Sequence, residues 1–154
     1  MPVNEAVGGD TAFIIPNTDT TLTIPSTSER VITVGAYDSV NISTVGFSGR
    51  GYTRATEYIK PDLVAPGVNI LTTTVGGSVS SFTGTSAAAP FVSGSIALLM
   101  EWGIVDRNDI FLYGERLKAF LCNGAIRDNS REYPNREWGY GRLCLKNTLD
   151  LLKK

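Results

Sequence analysis

The sequence predicts an α/β fold with a mainly parallel sheet, and three observations carry that prediction. The stretch VITVGA (Val31–Ala36) is apolar at nearly every position, as is typical of an interior parallel strand covered on both faces. The stretch Ala87–Trp102 is apolar almost all round, as is typical of a helix in the middle of a structure. Strand-like segments come first and helical ones follow, which favours layers of sheet and helix.

Short segments rich in Ile, Val and Thr, bounded by Pro, Gly, Asn or Asp, predict the strands. These strands are Thr11–Pro16, Thr21–Pro25, Arg30–Tyr37 and Asp62–Gly67. A glycine- and serine-rich loop is predicted over Ser43–Arg54. Two further segments flank Gly76 and Gly77 and predict a hairpin, Asn69–Val75 and Ser78–Phe82.

Three helices are predicted in the second half of the chain. Ala87–Trp102 is the first, and its Pro90 falls in or just after the first turn, where a missing N–H costs least. Apolar residues at helical spacing predict the other two, Leu112–Leu121 and Leu143–Leu152. The longest apolar stretch, Ala87–Met100, is too short to span a bilayer, so we expect a buried helix rather than a membrane segment.

Composition excludes several classes of function. The net charge of −1 gives no electrostatic case for binding nucleic acid or an anionic membrane surface. With two cysteines and no histidine, the chain lacks the ligands for a zinc site. The two cysteines, Cys122 and Cys144, could pair, but two free thiols are the favoured interpretation. The N-terminal residues do not have the pattern of a signal peptide, which leaves the compartment open.

Ser86, in the heptapeptide GTSAAAP, is the candidate functional residue. On the heptapeptide alone, a helix N-cap is the favoured interpretation. A nucleophile elbow of the α/β-hydrolase type is disfavoured, because that motif needs glycine at the position of Ala88 and a histidine after the serine. A third interpretation is the chain order Asp, His, Ser of subtilisin, which places the base upstream of the serine.

Five motifs in order resemble the subtilisin-like serine proteases (subtilases, peptidase family S8). They are IPSTSERVITVGAYD (Ile24–Asp38), FSGRG (Phe47–Gly51), KPDLVAPGV (Lys60–Val68), GTSAAAP around Ser86, and GYGRLCL (Gly139–Leu145). The stretches FSGRGYTR (Phe47–Arg54), LYGERLKAFL (Leu112–Leu121) and YPNREWGYG (Tyr133–Gly141) are most similar to a Firmicutes branch that includes clostridial germination proteases. The resemblance implies a three-layer α/β/α fold with a central buried helix that starts at the nucleophilic serine. Two positions depart from the family, since Ala87 stands where methionine is frequent and Phe91 where histidine is frequent.

The resemblance also implies roles for individual residues. Ser86 matches the nucleophile, and its backbone N–H would be one oxyanion donor; Thr85 would add a second donor near that hole. Thr23 and Ile24 match one wall of the pocket for the substrate residue before the scissile bond. No organic cofactor is implied, while a structural calcium ion, frequent in the family, has no assignable residues here. Asp62 is expected to fix a turn rather than act as a catalytic acid.

Residues 1–154 are therefore interpreted as the C-terminal part of a subtilase catalytic domain, without the segments that carry the family's aspartate, histidine and oxyanion-hole asparagine. We expect a serine endopeptidase that cleaves protein or peptide substrates once that part is supplied, and is inactive and self-associated alone. The rival hypothesis is a non-catalytic pseudoprotease or scaffold that binds a protein partner. The family favours a secreted or cell-surface location; a cytoplasmic or spore-associated one stays open.

Overall fold

The structure, a computed structural model, describes residue 15, residues 17–54 and residues 56–153. In chain order, the strands come first and the helices follow. They are β1 (Val34–Asp38), β2 (Ser43–Thr44), β3 (Leu63–Pro66), β4 (Ile70–Thr73), β5 (Val79–Phe82), α1 (Thr85–Met100), a π-helical turn (Glu101–Val105), α2 (Gly114–Gly124) and α3 (Leu145–Leu152).

The main sheet of the described residues has three strands in the order β2-β1-β3. β1 and β3 are parallel, with Val34 opposite Leu63 and Ala36 opposite Ala65, and β2 adds to the other edge of β1 in antiparallel direction. The predicted strand Asp62–Gly67 is thus confirmed as β3. The predicted loop Ser43–Arg54 contains the short β2, which pairs through two residues only.

The two faces of this sheet are covered differently. Ala36, Leu63 and Ala65 face the main core, where they pack with buried residues of the helical half: Ala88, Val92, Leu99, Leu112, Leu117 and Leu121. On the other face Tyr37 and Val64 pack against the indole of Trp138, whose ring centroid is 5.5 Å from that of Tyr37. Trp138 is 1% exposed, so its indole anchors the packing on this face of the sheet.

The predicted hairpin is present as the antiparallel pair β4 and β5. Gly76 and Gly77 form its turn with φ of 89° and 81°, a left-handed conformation that glycine adopts without steric cost. The N–H of Thr74 donates to the carbonyl of Ser78 at 2.8 Å and closes the turn. Side chains on both strands are largely exposed, so the hairpin is attached to the fold mainly at its base.

Two predicted strands are wrong in whole or in part. Thr21–Pro25 is not a strand, because the N–H and hydroxyl of Thr21 bond to the backbone of Arg50 and a tight turn follows at Thr23. The strand predicted over Arg30–Tyr37 begins only at Val34. Of the strand predicted over Thr11–Pro16, all but Ile15 lies outside the described residues.

Helix α1 begins at Thr85, two residues before its predicted start, and it is buried on one face only. Its buried residues are Ala87, Ala88, Val92, Ser95 and Leu99. On the opposite face Phe91 is 42% exposed and Leu98 is 53% exposed, so among the described residues the apolar surface of the helix is covered only in part. The spacing of the buried residues shows that only the stripe toward β1 and β3 is covered.

Helix α1 and the π-helical turn together form an apolar stretch longer than the one read from the sequence. Thr85–Val105 is 21 residues long with a mean hydropathy of 1.5, so by length and composition alone it would be long enough to cross a membrane. A core helix of a folded protein passes the same test, and here α1 packs on β1 and β3.

The helices predicted at Leu112–Leu121 and Leu143–Leu152 are confirmed, shifted by a few residues, as α2 and α3, which pack against each other. Both cysteines are free, as favoured by the sequence: Cys122 lies buried on α2, and Cys144 is half-buried just before α3. The pKa of the Cys122 thiol is raised to about 11, mainly by burial and to a smaller extent by the negative charge of Asp62.

We expect Cys122 to resist alkylation while Cys144 reacts. At pH 8 a thiol with a pKa of about 11 is only about one part in a thousand thiolate, which is the reactive form. Iodoacetamide labelling of the native chain, followed by peptide mass spectrometry, measures both rates. Equal labelling of the two thiols in the folded chain would contradict the burial described here, whereas equal labelling in urea is the expected control.

Candidate active site

Ser86 occupies the first turn of α1 and does not cap it. The N-cap is Gly84, whose φ of 161° is extended, and no side chain of the described residues caps the helix through a hydrogen bond. The Ser86 side chain is exposed, and its hydroxyl has no hydrogen-bond partner among the described residues. The helix-cap interpretation of the heptapeptide is therefore wrong, and the hydroxyl is accessible to a ligand.

The backbone around Ser86 favours negative charge. Ala87 donates its N–H to the carbonyl of Gly84 at 3.0 Å, whereas the N–H of Ser86 has no backbone acceptor in the part of the chain that the structure describes. No acidic side chain lies in the first turn to offset the positive end of the helix dipole. A free N–H and an uncompensated dipole at one point can stabilise an oxyanion that develops beside Ser86.

The main sheet fixes where this helix starts. The N–H of Gly67, directly after β3, donates to the carbonyl of Tyr37 on β1 at 3.0 Å. The carbonyl of Gly67 then accepts the N–H of Gly84 at 2.8 Å. Ser86 therefore stands at the carboxyl ends of the two parallel strands, which is where open α/β sheets place their ligands.

Gly67 has no room for a side chain at this junction. A Cβ there would come within 2.6 Å of the Ala36 Cβ and 2.9 Å of the Gly84 carbonyl oxygen. We expect Gly67→Ala to lower the free energy of unfolding by about 1–3 kcal/mol, because overpacking must shift backbone or the Ala36 side chain. Urea unfolding measures the change.

Gly46→Ala is the matched control, because a Cβ at Gly46 would meet nothing within 4 Å. That variant should unfold within about 0.5 kcal/mol of the wild type, as surface substitutions usually do. An equal loss of stability in the two variants would show that the junction of β1, Gly67 and α1 is not tightly packed.

Two grooves flank Ser86. One, the hairpin groove, has a volume of about 340 Å³ and lies between the hairpin and α1. It is lined by Ile70, Leu71, Thr72, Phe82, Ser86, Ala87, Pro90 and Phe91. The other, the wall groove, has a volume of about 320 Å³ and lies between α1 and residues 25–34, which we call the wall segment. It is lined by Pro25, Ser26, Val31, Ile32, Thr33, Val34, Thr85, Ser86 and Ala89.

Of the predicted site residues, Ser86 and Thr85 lie together at the wall groove, and Ser86 alone reaches both grooves. Thr23 and Ile24 are exposed and directly precede the lining residues Pro25 and Ser26, but they do not line the groove themselves. Their role in substrate binding stays a prediction. The other lining residues of the wall groove lie within the motifs Ile24–Asp38 and GTSAAAP, so membership in these motifs was the usable signal for them.

Asp62 lines neither the hairpin groove nor the wall groove. Its carboxylate accepts hydrogen bonds from Lys60 and from the backbone N–H of Thr33, and it pairs with Lys118. A structural role is therefore confirmed for it. Among the described residues, no group of three or more His, Cys, Asp or Glu side chains is arranged to hold a metal ion.

Comparison with known proteins gives consistent matches. Residues 4–141 match the Subtilase family. The serine protease AprX of Bacillus subtilis is 30% identical over 84% of this chain and 32% of its own length. The uncharacterized protein aq_aa18 of Aquifex aeolicus is 34% identical over 75% of this chain and 59% of its own length. The chain thus spans about a third to three fifths of these relatives.

The structure of the Clostridium perfringens CspB protease superposes with a TM-score of 0.90 at 51% identity, covering 94% of this chain and 31% of that one. This likeness confirms the α/β fold of the subtilisin type and the resemblance to a clostridial branch. The motifs, the fold and the family match agree over most of the sequence. The chain belongs to the subtilase family of serine proteases.

Proposed function

We propose that this chain supplies the nucleophile of a subtilisin-type serine endopeptidase, with histidine, aspartate and the oxyanion-hole asparagine provided by a segment outside the sequence described here. The observation that carries the proposal is Ser86 itself: an exposed hydroxyl, free of hydrogen bonds to described residues, at an uncompensated helix N-terminus between two grooves. Subtilase membership over residues 4–141 supports the same reaction class.

In the proposed reaction, the Ser86 Oγ attacks the carbonyl carbon of a peptide bond. Histidine takes the hydroxyl proton and passes it to the leaving amine, while aspartate orients the imidazole. The oxyanion is stabilised by the Ser86 N–H and the dipole of α1, with Thr85 beside it as a further donor. Water then releases the acyl group from Ser86, and no cofactor takes part.

The histidine must come from outside this sequence, because the sequence contains none. The exposed face of α1 supports the view that another segment packs here, since Phe91 and Leu98 lie exposed on it. Apolar surface of this kind favours association. The same face is where copies of the isolated chain would associate.

The test is peptide hydrolysis by a complex of this chain with a segment that carries the family's histidine and aspartate motifs, such as the N-terminal part of a full-length relative. We expect turnover in the wild-type complex and its loss in Ser86→Ala. Ser93→Ala is the matched control, because Ser93 is also on α1 and exposed, and its hydroxyl donates back to the Ala89 carbonyl of its own helix. A complex that forms but never turns over would favour the non-catalytic scaffold.

A further inference from the structure

Three charged side chains form a buried cluster outside the grooves, which we call the ion triad: Lys60, Asp62 and Lys118. The Lys60 Nζ lies 2.7 Å from the Asp62 Oδ2, and the Lys118 Nζ lies 3.0 Å from the Asp62 Oδ1. The exposed fractions of the side chains are 1% for Lys60, 3% for Asp62 and 15% for Lys118. Charges are this deeply buried only when they are paired and hydrogen-bonded.

Besides contacting one another, the three side chains of the ion triad form hydrogen bonds to the backbone of the wall segment. Lys60 donates to the Val31 carbonyl at 2.8 Å, and Lys118 donates to the Glu29 carbonyl at 2.6 Å. The Asp62 Oδ2 accepts the N–H of Thr33 at 2.6 Å. Lys118 also donates to the Val31 carbonyl at 3.4 Å, so every member of the triad contacts backbone between residues 29 and 33.

The wall segment is held from two sides: the Thr33 carbonyl accepts the N–H of Asp62 at 2.8 Å and Ile32 packs on the main core, while the triad holds its outer residues. It is irregular up to Val34, where β1 begins, and residues 28–30 are exposed. Within the segment, the Thr33 hydroxyl donates to the Ser26 carbonyl at 2.7 Å. This bond fixes the position of Ser26, which lines the wall groove. The triad therefore reaches the groove beside Ser86 through the backbone of the segment.

The charge states of the two lysines agree with this arrangement. Burial lowers the pKa of Lys60, and its hydrogen bond to Asp62 offsets that effect only in part. Burial alone would also lower the pKa of Lys118, but hydrogen bonding and charge attraction to Asp62 outweigh it and raise the pKa. Lys118 is therefore held as a cation that donates to both Asp62 and the wall segment.

We propose that Lys118, acting through Asp62 and the backbone of residues 29–33, is a positioning residue that sets the shape of the wall groove for the substrate. The inference rests on the proposed function insofar as the groove binds substrate. Lys118 lies on α2, remote in sequence from the wall segment. The position of α2 is therefore coupled to the shape of the wall groove through the Lys118 ammonium group.

The first test uses the isolated chain and needs no activity. We expect Lys118→Met to speed amide hydrogen exchange of peptides covering residues 29–34 by about tenfold, with less change elsewhere, because local opening exposes those groups. Lys118→Arg, which keeps a charged donor, should restore most of the protection. Lys146→Met is the matched control, since Lys146 is exposed on α3 and, within the described part of the chain, forms an ion pair with Asp150.

A second control separates positioning from general loss of stability. Leu121→Ala removes a fully buried side chain from the same helix and should speed exchange throughout the core rather than in the wall segment. If Lys118→Met and Leu121→Ala give the same exchange pattern, Lys118 is only a structural residue and the inference is overturned.

The second test uses the active complex. We expect Lys118→Met to raise KM for a peptide substrate about five- to tenfold with kcat little changed, because substrate binding is affected rather than the chemical step. Labelling of Ser86 by a small fluorophosphonate, which does not fill the groove, should stay within about twofold of wild type. An unchanged KM, or a parallel loss of labelling, would overturn the inference.

The two tests fail in different ways. A wild-type complex without turnover would contradict the proposed function, and hydrogen exchange would still decide whether Lys118 holds the wall segment. Turnover together with unchanged exchange in Lys118→Met would contradict the positioning role and leave the proposed function intact.

Discussion

The chain on its own is expected to hydrolyse peptides about 10⁶-fold more slowly than its complex with a histidine-bearing segment. That magnitude is the loss measured when the serine or the histidine is removed from subtilisin, a member of this family. The physical reason is that an unassisted serine hydroxyl is a poor nucleophile, and the sequence offers no histidine to take its proton. A fluorogenic peptide assay, with and without the second segment, measures the difference.

The control for this experiment is the complex carrying Ser86→Ala, which should fall to the level of the isolated chain. Turnover by the isolated chain that disappears in Ser86→Ala would contradict the expectation, because it would show that another group in this sequence activates the serine. Lys60 is the buried amine to test next in that case, through Lys60→Met, although it lies in neither groove around Ser86.

Replacing Asp62 by alanine is expected to lower the free energy of unfolding by about 3–5 kcal/mol. The substitution leaves the ammonium of Lys60, whose side chain is 1% exposed, without its carboxylate partner. It also removes the acceptor of the Thr33 N–H, which is buried. Chemical denaturation followed by circular dichroism measures the loss.

Lys146→Met is the control for this prediction, because it breaks an exposed ion pair on α3 and should leave the stability almost unchanged. A double variant in which Lys60 and Asp62 both become apolar residues should recover part of the stability, since it no longer buries an unpaired charge. Equal stability of Asp62→Ala and wild type would contradict the buried network described here.

Features set by neighbouring residues were predictable from the sequence. The turn of the hairpin follows from Gly76 and Gly77, both of which adopt a positive φ that other residues avoid. The apolar segment after Asp62 forms the parallel strand β3 as expected. The placement of Ser86 at the start of a helix follows from the motif around it, because Gly84 suits an N-cap and the alanines after Ser86 favour a helix; Pro90, the sixth helical residue, lies beyond the first turn.

Features set by distant residues were not predictable. Residues 31–33 are β-branched as in a strand, yet the ion triad forms hydrogen bonds to the backbone of Val31 and Thr33, and one member of the triad, Lys118, lies far along the chain. Likewise, the N–H of Thr21 donates to the carbonyl of Arg50, a residue distant in sequence. Whether the second face of α1 is covered depends on what packs against it, which no local pattern encodes.

The most direct measurement of the central claim is the site and rate of labelling by a fluorophosphonate probe, read by peptide mass spectrometry. In the complex with a histidine-bearing segment, the probe should modify Ser86 and no other serine; the isolated chain should react hardly at all. Association of the two parts without labelling of Ser86, or labelling of a different serine, would contradict the claim that Ser86 is the nucleophile of a serine protease.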